Sequence, residues 1–147
     1  MLRVLLVLAL LVAFVGLSFA TPTRYVSDDG VTTNNSTTMI TKLEYTFETF
    51  NTYEDYLIQW TSEIHAGDTP DYIRVCLMFD GTPENDQNWH PDPNGGAGGW
   101  AVATGFVLLT PGAGNHTFQI NFSSSIEGEE VSIRRARLLI EPCNVET

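Results

Sequence analysis

The chain from residue 39 onwards repeatedly alternates apolar and polar residues, and this pattern constrains its fold more than any other feature. A period of two places successive side chains on opposite faces of a β-strand. The first such segment carries on one face Met39, Thr41, Leu43, Tyr45 and Phe47. Its other face is polar and includes Lys42, Glu44 and Glu48. We therefore predict a half-buried strand here.

Four more segments read as strands. Residues 56–64 alternate in the same way, although a helix over 53–64 is the competing interpretation. Residues 73–79 form the next strand and end at an Asp80-Gly81 turn. Residues 100–109 are almost continuously apolar, which is typical of a central strand. Alternation then returns at Phe118, Ile120 and Phe122.

The last segment changes phase. Val131 and Ile133 share one parity, whereas Ala136, Leu138 and Ile140 share the other. A β-bulge at Arg134-Arg135 would return both sets to one buried face. With no convincing helical segment, the fold class is all-β. We expect an antiparallel β-sandwich, jelly-roll-like, over residues 39–147.

The start of the chain predicts export. Arg3 precedes an apolar run, and Ser18-Phe19-Ala20 places small residues where a signal peptidase cleaves. A single membrane anchor is the alternative, but the run is short for a span. We therefore expect a signal peptide over 1–20, no membrane span after its cleavage, and a secreted or extracellular surface location. Residues 21–38 are polar and predict an extended arm or a loosely attached first strand.

The charge is one-sided, with 18 acidic and seven basic residues and a net charge of −11. Such a surface repels phosphate backbones, which argues against a nucleic-acid partner. Carboxylates could also hold calcium, which prefers oxygen ligands.

Two cysteines, Cys76 and Cys143, suggest one disulfide in an exported chain. In the chain-entropy model such a bridge contributes about 4 kcal/mol. Two free buried thiols are the alternative. Four sequons place candidate N-glycosylation sites at Asn34, Asn35, Asn115 and Asn121.

Residues 81–99 are rich in glycine, amides and carboxylates, and they predict a long functional loop. Oxygen ligands for calcium could come from Asp80, Glu84, Asp86 and Asp92. A sugar could instead stack on an indole beside polar neighbours, and the candidate residues are Trp89, His90, Asn88 and Asp92. Alternatively, Trp89 anchors the loop to the sandwich. Trp60 and Trp100 lie on strand patterns and are predicted to be core residues.

Three arginines, Arg134, Arg135 and Arg137, are prominent in so acidic a chain. They predict cross-strand pairing with carboxylates such as Glu44 or Glu48. Contact with an acidic patch of a neighbouring subunit is the alternative. No spacing selects a pair of catalytic carboxylates or a serine-histidine-aspartate set, so we do not expect an enzyme.

The segment 100–140 carries a hairpin and a strand that resemble those of small jelly-roll domains in surface fibres, collagen-like proteins and phage tail structures. The match rests on Gly105-Phe106, Leu109, Gly114, His116-Thr117, Ile133-Arg134 and Ala136-Arg137-Leu138. This resemblance implies a non-enzymatic, self-assembling structural or adhesive subunit, with a homo-oligomer as its expected state. A carbohydrate- or calcium-binding module, with glycans as partners and calcium as cofactor, is the alternative.

Overall fold

A computed structural model describes residues 22–50, 52, 54–66, 72–89 and 99–143. These residues form nine strands and contain no helix. The strands are β1 (Arg24–Asp28), β2 (Thr32–Asn34), β3 (Ile40–Thr49), β4 (Asp55–Ala66), β5 (Ile73–Phe79), β6 (Thr82–Trp89), β7 (Ala101–Leu109), β8 (Gly114–Ser124) and β9 (Val131–Cys143). A search of the same residues for a helix long and apolar enough to cross a membrane finds none.

The strands build two antiparallel sheets that pack face to face. The first sheet has the order β1-β9-β4-β7, with β2 also pairing with β9. The second sheet has the order β3-β8-β5-β6. This arrangement confirms the predicted all-β sandwich of the jelly-roll type.

The core lies between the two sheets, where alternate residues of each strand meet. β4 buries Tyr56, Ile58, Trp60 and Ile64, so the helical alternative for this segment is wrong. Opposite them lie Phe118, Ile120 and Phe122 of β8. Trp60 is a core residue, as predicted.

The predicted bulge in β9 is confirmed. Thr61 of β4 pairs with Arg137, but Glu63 pairs with Arg134, so β9 contains one extra residue at this point. Arg135 has a φ of 49°, in the left-handed region. The bulge shifts the parity of β9, and both Ile133 and Ala136 are consequently buried.

A second bulge, in β3, was not predicted. The register with β8 shifts between Thr41 and Leu43, which buries Lys42 beside Leu43 instead of leaving it on the polar face. The Lys42 ammonium donates to the carbonyl of Gly30 at 2.7 Å and lies 2.8 Å from the Asp28 carboxylate. Both partners come from the segment predicted to be an extended arm or a loosely attached first strand.

Of the two predicted alternatives, residues 22–38 therefore form attached strands and not an extended arm. β1 pairs with β9 from Arg24↔Ile140 to Asp28↔Ala136, and β2 extends the same edge. The segment completes the first sheet, and Lys42 ties it to β3 in the second.

The predicted loop over 81–99 is wrong for its first half. The turn at Asp80-Gly81 has positive φ at both residues, as a type I′ two-residue hairpin requires, and β6 follows at once. Residues 90–98 lie outside the described part of the chain.

β7 is an edge strand rather than the central strand predicted from its apolar run. It pairs with β4 on one side, and no described strand pairs with its other side. As in any strand, alternate side chains of β7 point away from the core, and these side chains are exposed.

Candidate functional site

The side of the sandwich where β6 faces β7 forms a cleft of about 620 Å³. It is lined by Leu57, Gln59, Asn85, Gln87, Thr104, Gly105 and Phe106. Three of these side chains are amides and none is charged, although the chain carries 18 acidic residues. The lining therefore offers neutral hydrogen-bond donors and acceptors beside apolar surface.

The middle of the cleft depends on Gly105. A Cβ atom at this position would lie 2.5 Å from Nε1 of Trp60 and 2.6 Å from Oδ1 of Asn85. The indole and the amide therefore converge on bare backbone. Gln87 donates to the same oxygen of Asn85 at 2.8 Å and orients it. Nε1 of Trp60 is buried and has no hydrogen-bond partner among the described residues.

The outer face of β7 is apolar and exposed. The exposed fractions are 61% for Val102, 71% for Phe106 and 53% for Leu108. Phe106 also forms the rim of the cleft. Large exposed apolar side chains on an edge strand are typical of an interaction surface.

The predicted sugar-binding residues do not share a face of β6. Trp89 pairs with Ile73 and packs half-buried against the core, so the alternative of an anchoring indole agrees with the structure. Asn88 is exposed on the opposite face of the strand. His90 and Asp92 lie outside the described residues. Sequence reasoning did not single out the inward-facing amides of β6, Asn85 and Gln87.

The predicted calcium ligands are also separated. Asp80 accepts hydrogen bonds from the Thr117 amide at 2.7 Å and from the His116 ring at 2.8 Å. Asp86 forms an ion pair with Arg74, and Glu84 is exposed on β6. The described residues contain no cluster of three or more potential metal ligands, so calcium binding stays a prediction.

Both cysteines are free in the structure, so the predicted disulfide is absent from it. Cys143 ends β9 in one sheet, whereas Cys76 lies on β5 in the other. Val75 and Leu77 face the core, whereas Cys76 between them lies on the other face of β5 and is nevertheless buried. Burial and the nearby Asp86 charge raise the pKa of the Cys76 thiol to about 11, which makes it unreactive.

The four sequons differ in access. The Asn34 amide is buried and donates to the carbonyls of Thr38 and Phe122, so its nitrogen is already engaged. Asn121 lies half-buried on β8 between two strands. Asn35 and Asn115 are exposed.

The three arginines pair with carboxylates of their own chain, as predicted, but with different partners. Arg134 and Arg135 contact Glu63 at 2.7 and 2.6 Å. Arg137 lies 2.5 Å from Asp29. The Arg134 guanidinium also lies 4.0 Å from the centre of the Trp100 ring, so Trp100 is half-buried under it and is not a core residue.

No known protein family and no curated protein matches the chain. Solved structures do. VP2 in the subviral particle of infectious bursal disease virus has a TM-score of 0.52 and 13% identity, over 84% of this chain and 33% of its own. The T13 particle of that virus has a TM-score of 0.53 and 12% identity, over 84% of this chain and 32% of its own. Dimeric latent PorU from Porphyromonas gingivalis has a TM-score of 0.50 and 8% identity, over 83% of this chain and 13% of its own.

These similarities concern the fold. The chain spans about a third or less of each of these proteins. They agree with a β-sandwich of the jelly-roll type, which is the architectural part of the resemblance drawn from residues 100–140.

Proposed function

We propose that this protein is an exported, non-enzymatic structural or adhesive subunit that self-associates outside the cell through β7. The observation that supports this most strongly is the unpaired edge of β7 with its exposed apolar face. An edge strand presents unpaired N–H and C=O groups that can pair with another chain. β7 carries no charge and no proline over its nine residues.

Charge favours a second copy at this strand. With a net charge of −11, two copies repel each other over most of their surface. The uncharged β7 is where they can approach most closely. Antiparallel pairing of β7 with its counterpart gives a two-fold contact that uses one surface twice. VP2, which has the same architecture, builds viral particles, so the fold is compatible with assembly.

The polar segment 21–38 is not the assembly element. Its strands β1 and β2 already pair with β9 of their own chain. Deleting the segment would remove part of the first sheet. A loss of assembly in such a deletion variant could therefore result from impaired folding.

The test is the molar mass of the mature chain by light scattering, with and without a calcium chelator. We expect an oligomer for the wild type and a monomer for Val102→Lys, which places a charge on β7. The matched control is Asn88→Lys on β6, which should assemble normally. A wild-type protein that stays monomeric at high concentration would refute self-association. Dissociation in the chelator would instead assign the contact to calcium.

A further inference from the structure

We infer that the cleft between β6 and β7 binds a neutral saccharide, a function beyond self-association. Its volume of about 620 Å³ lies within the ~300–1,000 Å³ range of small-molecule sites. The first reason is that none of the described residues lining the cleft is charged. The hydroxyls of a neutral ligand can replace their hydrogen bonds to water with bonds to this polar lining, whereas an ion would find no counter-charge.

The second reason is the kind of polar groups present. Side-chain amides hold a donor and an acceptor on one rigid plane, which matches neighbouring hydroxyls on a sugar ring. The Gln87–Asn85 hydrogen bond fixes both amides. Nδ2 of Asn85 and Oε1 of Gln87 have no partner among the described residues and are therefore available. Gln59 adds a third amide, and the Thr104 hydroxyl, which already donates to the Trp60 carbonyl at 2.9 Å, adds an acceptor.

The third reason is the combination of these amides with Phe106. Its ring is 71% exposed at the rim and gives a flat apolar surface for the C–H face of a pyranose. The inner side of Gly105, next to it, is filled by the Trp60 indole and the Asn85 amide, which brings this amide close to β7. The buried, unpartnered Nε1 of Trp60 is directed at this glycine.

The experiment screens the mature chain against an array of neutral glycans and then titrates it with the hexoses and disaccharides that bind, followed by NMR. We expect saturable shifts at Asn85, Gln87, Gly105 and Phe106. Phe106→Ala and Gln87→Ala should each weaken binding by about tenfold or more. Asn88→Ala, on the opposite face of β6, is the matched control and should bind normally.

Three outcomes would overturn the inference. No neutral glycan binds, or Phe106→Ala and Gln87→Ala bind as the wild type does, or the cleft takes only an extended peptide along β7. The Val102→Lys variant separates this site from self-association because Val102 does not line the cleft. Saccharide binding that persists in this variant supports the cleft whether or not the wild type assembles.

Discussion

β6 and β7 are both edge strands on the same side of the sandwich, yet they are protected differently. β6 carries Pro83, Glu84 and Asp86, and these three residues are exposed. β7 has no charged residue and exposes three large apolar side chains. Natural sheets use charge and proline on edges to prevent pairing with other chains. The difference indicates that one edge is closed to partners and the other is open.

The remaining two edge strands resemble β6 because they also carry charged residues. β1 carries Arg24 and Asp28, and β3 carries Glu44 and Glu48. Among the four edges of the described sheets, β7 is therefore the exception. Its inner side is nevertheless fixed, because Gly105 lies tightly against Trp60 and Asn85.

The substitution with the largest expected effect on stability lies in β1, which is the other edge strand of the sheet that contains β7. Asp28→Ala leaves the Lys42 ammonium, whose side chain is 1% exposed, without its carboxylate. Because a buried charge without its partner is costly, we expect a loss of about 3 kcal/mol in the free energy of unfolding, at the lower end for such pairs since Asp28 is half-exposed. Urea denaturation measures it.

Asp29→Ala is the matched control for that substitution. Asp29 is 70% exposed and pairs with Arg137 at the surface, so its loss should cost less than about 1 kcal/mol. Equal midpoints for Asp28→Ala and Asp29→Ala would show that Lys42 does not secure the β1 edge.

The next effect separates the two faces of β7. Gly105→Ala introduces a Cβ atom that would come within 2.5 Å of the Trp60 indole. We expect it to destabilise the fold by about 2 kcal/mol through overpacking. Phe106→Ser, one residue later on the exposed face, should stay within about 0.5 kcal/mol of the wild type. Thermal unfolding of the two variants tests this, and similar costs would mean that Phe106 is not a free surface residue.

Sequence patterns predicted those elements whose buried face is apolar. The bulge at Arg134-Arg135 followed from parity alone, and β4 followed from alternation. β6 was missed because an edge strand with polar residues on both faces has no hydrophobic period. The Asp80-Gly81 pair was the available signal for this strand, since its geometry favours a hairpin that returns at once.

β7 shows a second limit of sequence-based prediction. An apolar run predicts that both faces of a strand are buried, but it does not tell whether they are buried by the same chain or by a partner. The cleft itself was not predictable, because Gln59, Asn85 and Gly105 come from three strands. The burial of Lys42 likewise depends on a bulge in β3, and the one sign of it in the sequence is that Ile40 and Leu43, which both face the core, differ in parity.

A smaller effect concerns the turn that leads into β6. The His116 ring lies between two acceptors, the Asp80 carboxylate and the Gly112 carbonyl, each at 2.8 Å. Burial lowers the pKa of His116, but these two hydrogen bonds raise it overall. The protonated ring satisfies both acceptors, so its contribution is complete below the unfolded pKa of about 6.5 and is lost as pH rises through the higher folded value.

We therefore expect the wild type to lose about 1 kcal/mol of stability as pH rises above this range, and His116→Gln to lose this dependence. Urea midpoints at several pH values measure the slope. His65→Gln is the control, because His65 packs against Trp100 and not against a carboxylate. A slope that survives in His116→Gln would assign it to another group.

The smallest effect tests how β6 is protected. Arg74 donates through Nε to Asp86 at 2.8 Å across the β5–β6 pair, and this contact lowers the pKa of Asp86. Its contribution is therefore present above the unfolded pKa of about 3.9 and is lost as pH falls through the lower folded value. Because both side chains are partly exposed, a double-mutant cycle should give a coupling of about 0.5 kcal/mol or less.

So weak a pair would protect the edge through its charge, not through its contribution to stability. Replacing Glu84 and Asp86 together by Gln and Asn should then leave the unfolding midpoint almost unchanged while raising the molar mass measured by light scattering. Such a result would make β6 a second open edge and would confirm that charge distinguishes it from β7. An unchanged mass would show instead that Pro83 or the local twist closes this edge, and the apolar face of β7, rather than its lack of charge, would then be what marks it for a partner.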